Sequence, residues 1–240
     1  MKKFHGRTLG LAFATLFAGS ALASPIITFT DGVSYTTDSL TGFTTNGSQM
    51  HGMSITTCFI TGACEEIIWD GTVGMASYGE ARSSNWLLSV NGDTFGNPFT
   101  FETLNGDTAI TSISINGRPG NTVFDVILDP VLSPGSARGN PFTLFGSNPD
   151  LANYTVNVNY TDRLAIGGVF YGDLYTVMNI DFGGQGFTGS FRFITDTDNN
   201  DFAGGSPIVP VDPNPVPLPG TLFLFVAGLA GLGLRRKLRK

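Results

Sequence analysis

An all-β fold arranged as an antiparallel sandwich is what this 240-residue sequence predicts, and three observations carry the prediction. First, Tyr154, Val156, Val158 and Tyr160 alternate strictly with Thr155, Asn157, Asn159 and Thr161. A period of two places one set on a core and the other in water. Second, about ten such segments follow one another, separated by turn signals such as Asn91-Gly92-Asp93, Asn105-Gly106-Asp107 and Asn116-Gly117. Third, no amphipathic stretch of helical period lies between them, which disfavours a parallel α/β sheet with crossover helices.

In chain order, segment 26–30 opens the series with β-branched and aromatic residues. Segments 52–60 and 65–69 come next, then 85–90, 99–104, 110–116 and 123–128, most of them bounded by Gly, Asn, Asp or Pro. The clearest alternations are the last: 154–161; Leu174, Thr176, Met178, Ile180 and Phe182; and Phe187, Gly189, Phe191 and Phe193. Strands of this number and spacing suit a sandwich of the jelly-roll or immunoglobulin-like kind, spanning residues 24–205.

The N-terminus reads as an export signal. Lys2, Lys3 and Arg7 precede an apolar run over 9–19, and Ala21-Leu22-Ala23 supplies the small residues of a cleavage site. Residues 1–23 are therefore expected to be a signal peptide removed by signal peptidase. Export implies an oxidising compartment, where Cys58 and Cys64, the only cysteines, are expected to form a disulfide closing a turn between two strands.

From Ser206 the composition changes, and six of the 13 prolines fall within 207–219. Residues 206–217 are expected to be a stiff, solvated spacer. Residues 218–234 are uncharged and apolar, near the lower limit for a transmembrane helix, and 235–240 form a basic tail that should stay cytoplasmic. Val216-Pro217-Leu218-Pro219, the apolar stretch and Arg235-Arg236 together resemble the PEP-CTERM sorting signal in a VPLP-type variant. The resemblance implies export, transient anchoring in the inner membrane of a Gram-negative bacterium, recognition by an exosortase and release to the envelope or extracellular matrix. C-terminal segments of this kind are also labelled ice-binding.

Charge narrows the function classes. Outside the two termini the chain has five basic residues, all Arg, against all 19 acidic ones, which excludes a nucleic-acid partner. His51 is the one histidine after the signal peptide, and no G-x-S-x-G elbow accompanies it. Glu65 and Glu66 are adjacent, so in a strand they point to opposite faces and cannot share a substrate. Trp69 and Trp86 are expected in the core. Asp196-Thr197-Asp198-Asn199-Asn200 begins like a calcium loop, making Asp196, Asp198 and Asn200 candidate Ca²⁺ ligands, although Asp201 and Pro207 stand where such a loop needs Gly and Glu. Its plainer reading is a polar turn at the end of the last strand. The expected function is a non-enzymatic envelope or matrix protein without a cofactor, in contact with exopolysaccharide. The alternative is a carbohydrate-binding, or less readily ice-binding, module using the polar face of Thr155, Asn157, Asn159 and Thr161.

Overall fold

The computed structural model describes residues 24–106, 108–127, 133–136, 138–200 and 205–211. The expected signal peptide, transmembrane segment, basic tail and the end of the spacer lie outside these residues. Among them run β1 (Ile26–Phe29), β2 (Tyr35–Thr37), β3 (Ser54–Phe59), β4 (Cys64–Ile68), β5 (Tyr78–Arg82), β6 (Trp86–Asn91), β7 (Phe99–Thr103) and β8 (Ile110–Asn116). They continue as β9 (Thr122–Asp125), β10 (Thr143–Leu144), β11 (Asn157–Ile166), β12 (Val169–Asp181), β13 (Ser190–Ile194), β14 (Asp196–Asn199) and β15 (Val209–Pro210).

The strands form two sheets. The larger has ten strands in the order β15-β2-β11-β12-β8-β3-β4, with β1 on β11, β9 on β12 and β14 on β9. The smaller has five, in the order β10-β13-β7-β6-β5. Pairing is antiparallel except that β1 and β2 run parallel to β11, end to end along one edge. The step between them falls beside Asp162, which takes a positive φ of 64° and whose Oδ1 accepts the Val33 N–H, just before the register of β11 on β12 shifts between Arg163 and Ala165. Gly32 makes the step possible, because a Cβ there would stand 2.3 Å from Thr161 Oγ1.

Alternation decides which face of each strand is buried. Across the large sheet, Tyr160, Met178, Ile115, Ile55 and Ile67 stand in one register row facing the small sheet. The small sheet answers with aromatic residues. Phe99 stacks on Phe193 at 5.2 Å, Phe193 on Phe142 at 4.8 Å, and Phe101 meets Phe191 at 5.4 Å and Trp86 at 6.3 Å. Trp69 and Trp86 are fully buried, the first donating its indole N–H to Gly47 O at 2.8 Å and the second to Glu65 Oε2 at 3.0 Å. Burying an aromatic side chain contributes a few kcal/mol each, roughly, so this layer dominates the stability of the sandwich. Cys58 and Cys64 face each other in the β3–β4 hairpin and are joined by a disulfide.

Two expectations need correction. Residues 196–199 are a buried strand and not a polar turn, since β14 pairs with β9 beneath covering loops. The spacer does not begin at 206: Thr37 Oγ1 donates to Ser206 O, Ile208 packs against the cluster of Tyr35, Leu40, Val123, Leu164 and Leu174, and Val209–Pro210 pairs with β2. Pro210 is tolerated there because β15 is an edge strand. Replacing Phe193 by Ala is expected to lower the unfolding free energy by about 3–5 kcal/mol, measured by urea denaturation. Phe145→Ala, at a 37% exposed ring, should cost less than about 1 kcal/mol.

Candidate functional site

The site grows from the run Phe191 to Asn199. Phe191 and Phe193 point into the aromatic layer, and the same period continues through Thr195, whose hydroxyl meets Tyr160 Oη at 2.7 Å, to Thr197, which reaches Met50 Sδ at 3.4 Å. Tyr160 Oη also accepts the Phe142 N–H at 2.8 Å, tying the crossing between the sheets to β11. The intervening residues must take the other face, so Asp196 and Asp198 lie side by side on the outside of the large sheet. Asp125 joins them, being the register partner of Asp196 across the β9–β14 pair.

This outer face is nevertheless covered. Asn199 N–H donates to Gly42 O at 3.0 Å, bringing the loop after β2 alongside β14. Residues 133–136 and 138–140 close from the other side: Ser136 Oγ donates to Asp125 Oδ2, Ser133 N–H donates to Asp173 Oδ2 at 2.7 Å, and Asp196 N–H donates to Asn140 O at 2.8 Å. Gly139 permits this closure, for a Cβ there would stand 2.1 Å from Asp125 Oδ1. Asp125, Asp173, Asp196 and Asp198 are thereby reduced to at most 4% exposure, and they are all the buried acidic residues among those described.

Their electrostatics follow from burial. Loss of water pushes the Asp125 carboxyl up to about 6, with the Ser136 hydrogen bond opposing and the Asp173 charge adding to the rise. Burial raises Asp196 further, to about 8, helped by the charges of Asp125 and Asp93. Asp198 is held well above the usual carboxylate range by burial first, then by the charges of Asp196, Asp125, Asp173 and Asp93. Both Asp198 oxygens, Asp125 Oδ1 and Asp173 Oδ1 lack a hydrogen-bond partner. Asp196 accepts from Thr94 Oγ1 at 3.4 Å and stands at the floor of a surface cleft of about 430 Å³, whose walls include Phe43, Asp93, Phe95, Ser136 and Arg138.

Of the three residues that the sequence offered as calcium ligands, Asp196 and Asp198 belong to this corner. Asn200 does not. Its Oδ1 accepts the Thr41 N–H at 2.9 Å, and its Nδ2 donates to Ser39 O at 2.6 Å and Ser206 O at 2.9 Å, so it ties β2 and the chain after β14 together. Asp125 and Asp173 were missed because each sits alone in an otherwise apolar strand segment, and only the fold brings them to Asp196. As the side chains stand, no three described His, Cys, Asp or Glu residues are disposed to hold a metal ion. His51 is exposed beside Asp70, at 3.8 Å. Val216, Pro217, Pro219, Arg235 and Arg236 lie outside the described residues.

Among protein families, the PEP-CTERM protein-sorting motif matches the chain over residues 215–237. It supports export through the membrane to a cell-envelope or extracellular location and processing by an exosortase. No curated protein and no solved structure matches the chain.

For the protein kept in chelator, the raised carboxyls set a pH dependence. A folded-state value above the ordinary unfolded value of about 3.9 means that the native state holds more protons in between, so stability is fully present below about pH 4 and falls as pH rises toward 8. The urea midpoint in EDTA should be higher at pH 5 than at pH 8, and Asp196→Asn should flatten the difference.

Proposed function

We propose that this chain is a non-catalytic exported protein, held briefly in the inner membrane of a Gram-negative bacterium by residues 218–234, cut near Val216–Pro219 by an exosortase and released into an extracellular polysaccharide matrix. The observation that carries this reading is the sorting motif at 215–237. The folded domain reaches at least Val211, which leaves only a short proline-rich link between it and Val216.

One feature of the sandwich favours contact with a hydroxyl-rich polymer. On the outer face of the large sheet, Thr28, Asn159, Asn179, Ser114, Thr56 and Glu66 stand in a single register row across six strands. With strands about 4.8 Å apart, the row extends roughly 24 Å, the length of several sugar rings. Hydroxyls and amides of this kind exchange hydrogen bonds with sugar hydroxyls, whereas the scarcity of basic residues disfavours a strongly anionic polymer. The Asn159 side-chain amide also hydrogen-bonds the Thr28 and Thr30 hydroxyls at 3.1 and 3.0 Å. The polar face expected from 155–161 therefore extends well beyond β11, while Thr155 itself precedes the strand.

Fractionation in a host with and without its exosortase tests the sorting reading. Pro217→Ala with Pro219→Ala should leave the protein membrane-bound, and mass analysis of the released wild-type form should show loss of residues 222–240. Release that is unaffected by removing the exosortase contradicts it. For the polar row, replacing Asn179 and Ser114 by Leu should reduce co-sedimentation with the host's matrix polysaccharide about tenfold or more, and unchanged co-sedimentation contradicts a binding role for this face.

A further inference from the structure

A carboxylate cluster without counter-charge is the least expected feature of so small a domain. Four aspartates are buried in one corner, and an ionised carboxylate taken out of water costs several kcal/mol, roughly, unless a cation or a full set of donors replaces the solvent. Donors are too few. Asp198, with no exposed surface, has no hydrogen-bond partner on either oxygen; Asp125 and Asp173 each leave one oxygen unpaired; and the Ser133 hydroxyl beside them is also buried and unpaired.

Among the described residues no side-chain cation forms an ion pair with the corner. Every Lys lies within three residues of the N-terminus or four of the C-terminus. Among the described residues the Arg ion pairs are Arg82–Glu80, Arg118–Asp162 and Arg163–Asp31, none of which involves the corner. Arg192 lies over the Phe145 ring at 4.8 Å. Arg138 lines the cleft, where its guanidinium faces the Phe95 ring at 5.9 Å.

We propose that the corner is a binding site for one calcium ion, ligated by the unpaired carboxylate oxygens of Asp198, Asp125 and Asp173, with Asp196 at its entrance. The donors are all oxygen and all anionic, which selects a hard cation. Calcium accepts six to eight oxygen ligands in irregular geometry, whereas magnesium demands a strict octahedron and retains several waters. Asp125, Asp196 and Asp198 already share one face of the β9–β14 pair, so closing on an ion requires the carboxylates to turn toward a common point. The cleft at Asp196 supplies the path from solvent. The choice of calcium also rests on export, since extracellular sites work at the millimolar calcium found outside cells; the site itself does not depend on how the chain is sorted.

The full chain, purified without chelator, should retain about one calcium per molecule by elemental mass spectrometry. Adding millimolar Ca²⁺ to EDTA-treated protein at pH 8 should raise Tm by about 5–10 °C, the shift expected when a ligand near a hundred times its Kd binds a domain of this size. Asp198→Asn keeps the side-chain shape and removes a buried charge. That variant should fold, melt in EDTA no lower than the wild type, and lose the calcium-dependent increment. Asp181→Asn, on the exposed polar face, should retain it. No bound calcium and an unchanged Tm would overturn the proposal, as would an undiminished increment in Asp198→Asn. An equal shift with Mg²⁺ would overturn the assignment to calcium.

Discussion

The constraint on which the acidic corner depends is the unbroken period of two that carries the chain from the small sheet to the large one between Phe191 and Asn199. Phe191 and Phe193 are anchored by stacking in the aromatic layer, and Thr195 is anchored by the Tyr160 hydroxyl. With these positions facing the core, Asp196 and Asp198 have no choice of face. A one-residue slip would turn both carboxylates into the aromatic layer and the phenylalanines outward. The same anchoring sets β14 against β9, and that pairing delivers Asp125. Packing energy in the core thus supplies what is needed to hold repelling groups together outside it.

How much of this was legible in the sequence depends on which residues a strand turns inward. β11 and β12, read from their alternation, and β3 and β8, read as segments 52–60 and 110–116, stand close to where the sequence placed them. β5 gave no such signal because its inward residues are Gly79 and Ala81, the first left small by the Trp69 indole, whose Nε1 would lie 2.4 Å from a Cβ. β14 was hidden for the opposite reason: Asp-Thr-Asp-Asn has the composition of a turn, and only pairing with β9 makes it a strand. The edge strand at Val209–Pro210 was masked by proline, which ends most sheets but is acceptable where the amide side is unpaired.

For the candidate site, the D-x-D spacing was visible and its meaning was not. In a calcium loop the alternate residues converge because the chain curls around the ion. Here they share a face because the chain is extended, and the further ligands come from β9 and the start of β12, about 70 and 23 residues earlier in the chain, where one sequence offers no link between them. Asn200, next in the series, is claimed by Ser39, Thr41 and Ser206. Two regions of the outer face of the large sheet consequently differ: a broad polar row faces solvent, and a covered acidic corner reaches solvent only at the cleft beside Asp196. An exported protein meets calcium and polysaccharide in the same compartment, so the two features suit one location.

The decisive measurement is anomalous diffraction from crystals of the processed protein grown in calcium, which should show a single peak enclosed by the carboxylates of Asp125, Asp173 and Asp198, with residues 196–199 in register against β9. A corner without a peak, or a segment 196–199 detached from β9 and open to solvent, would contradict the calcium site.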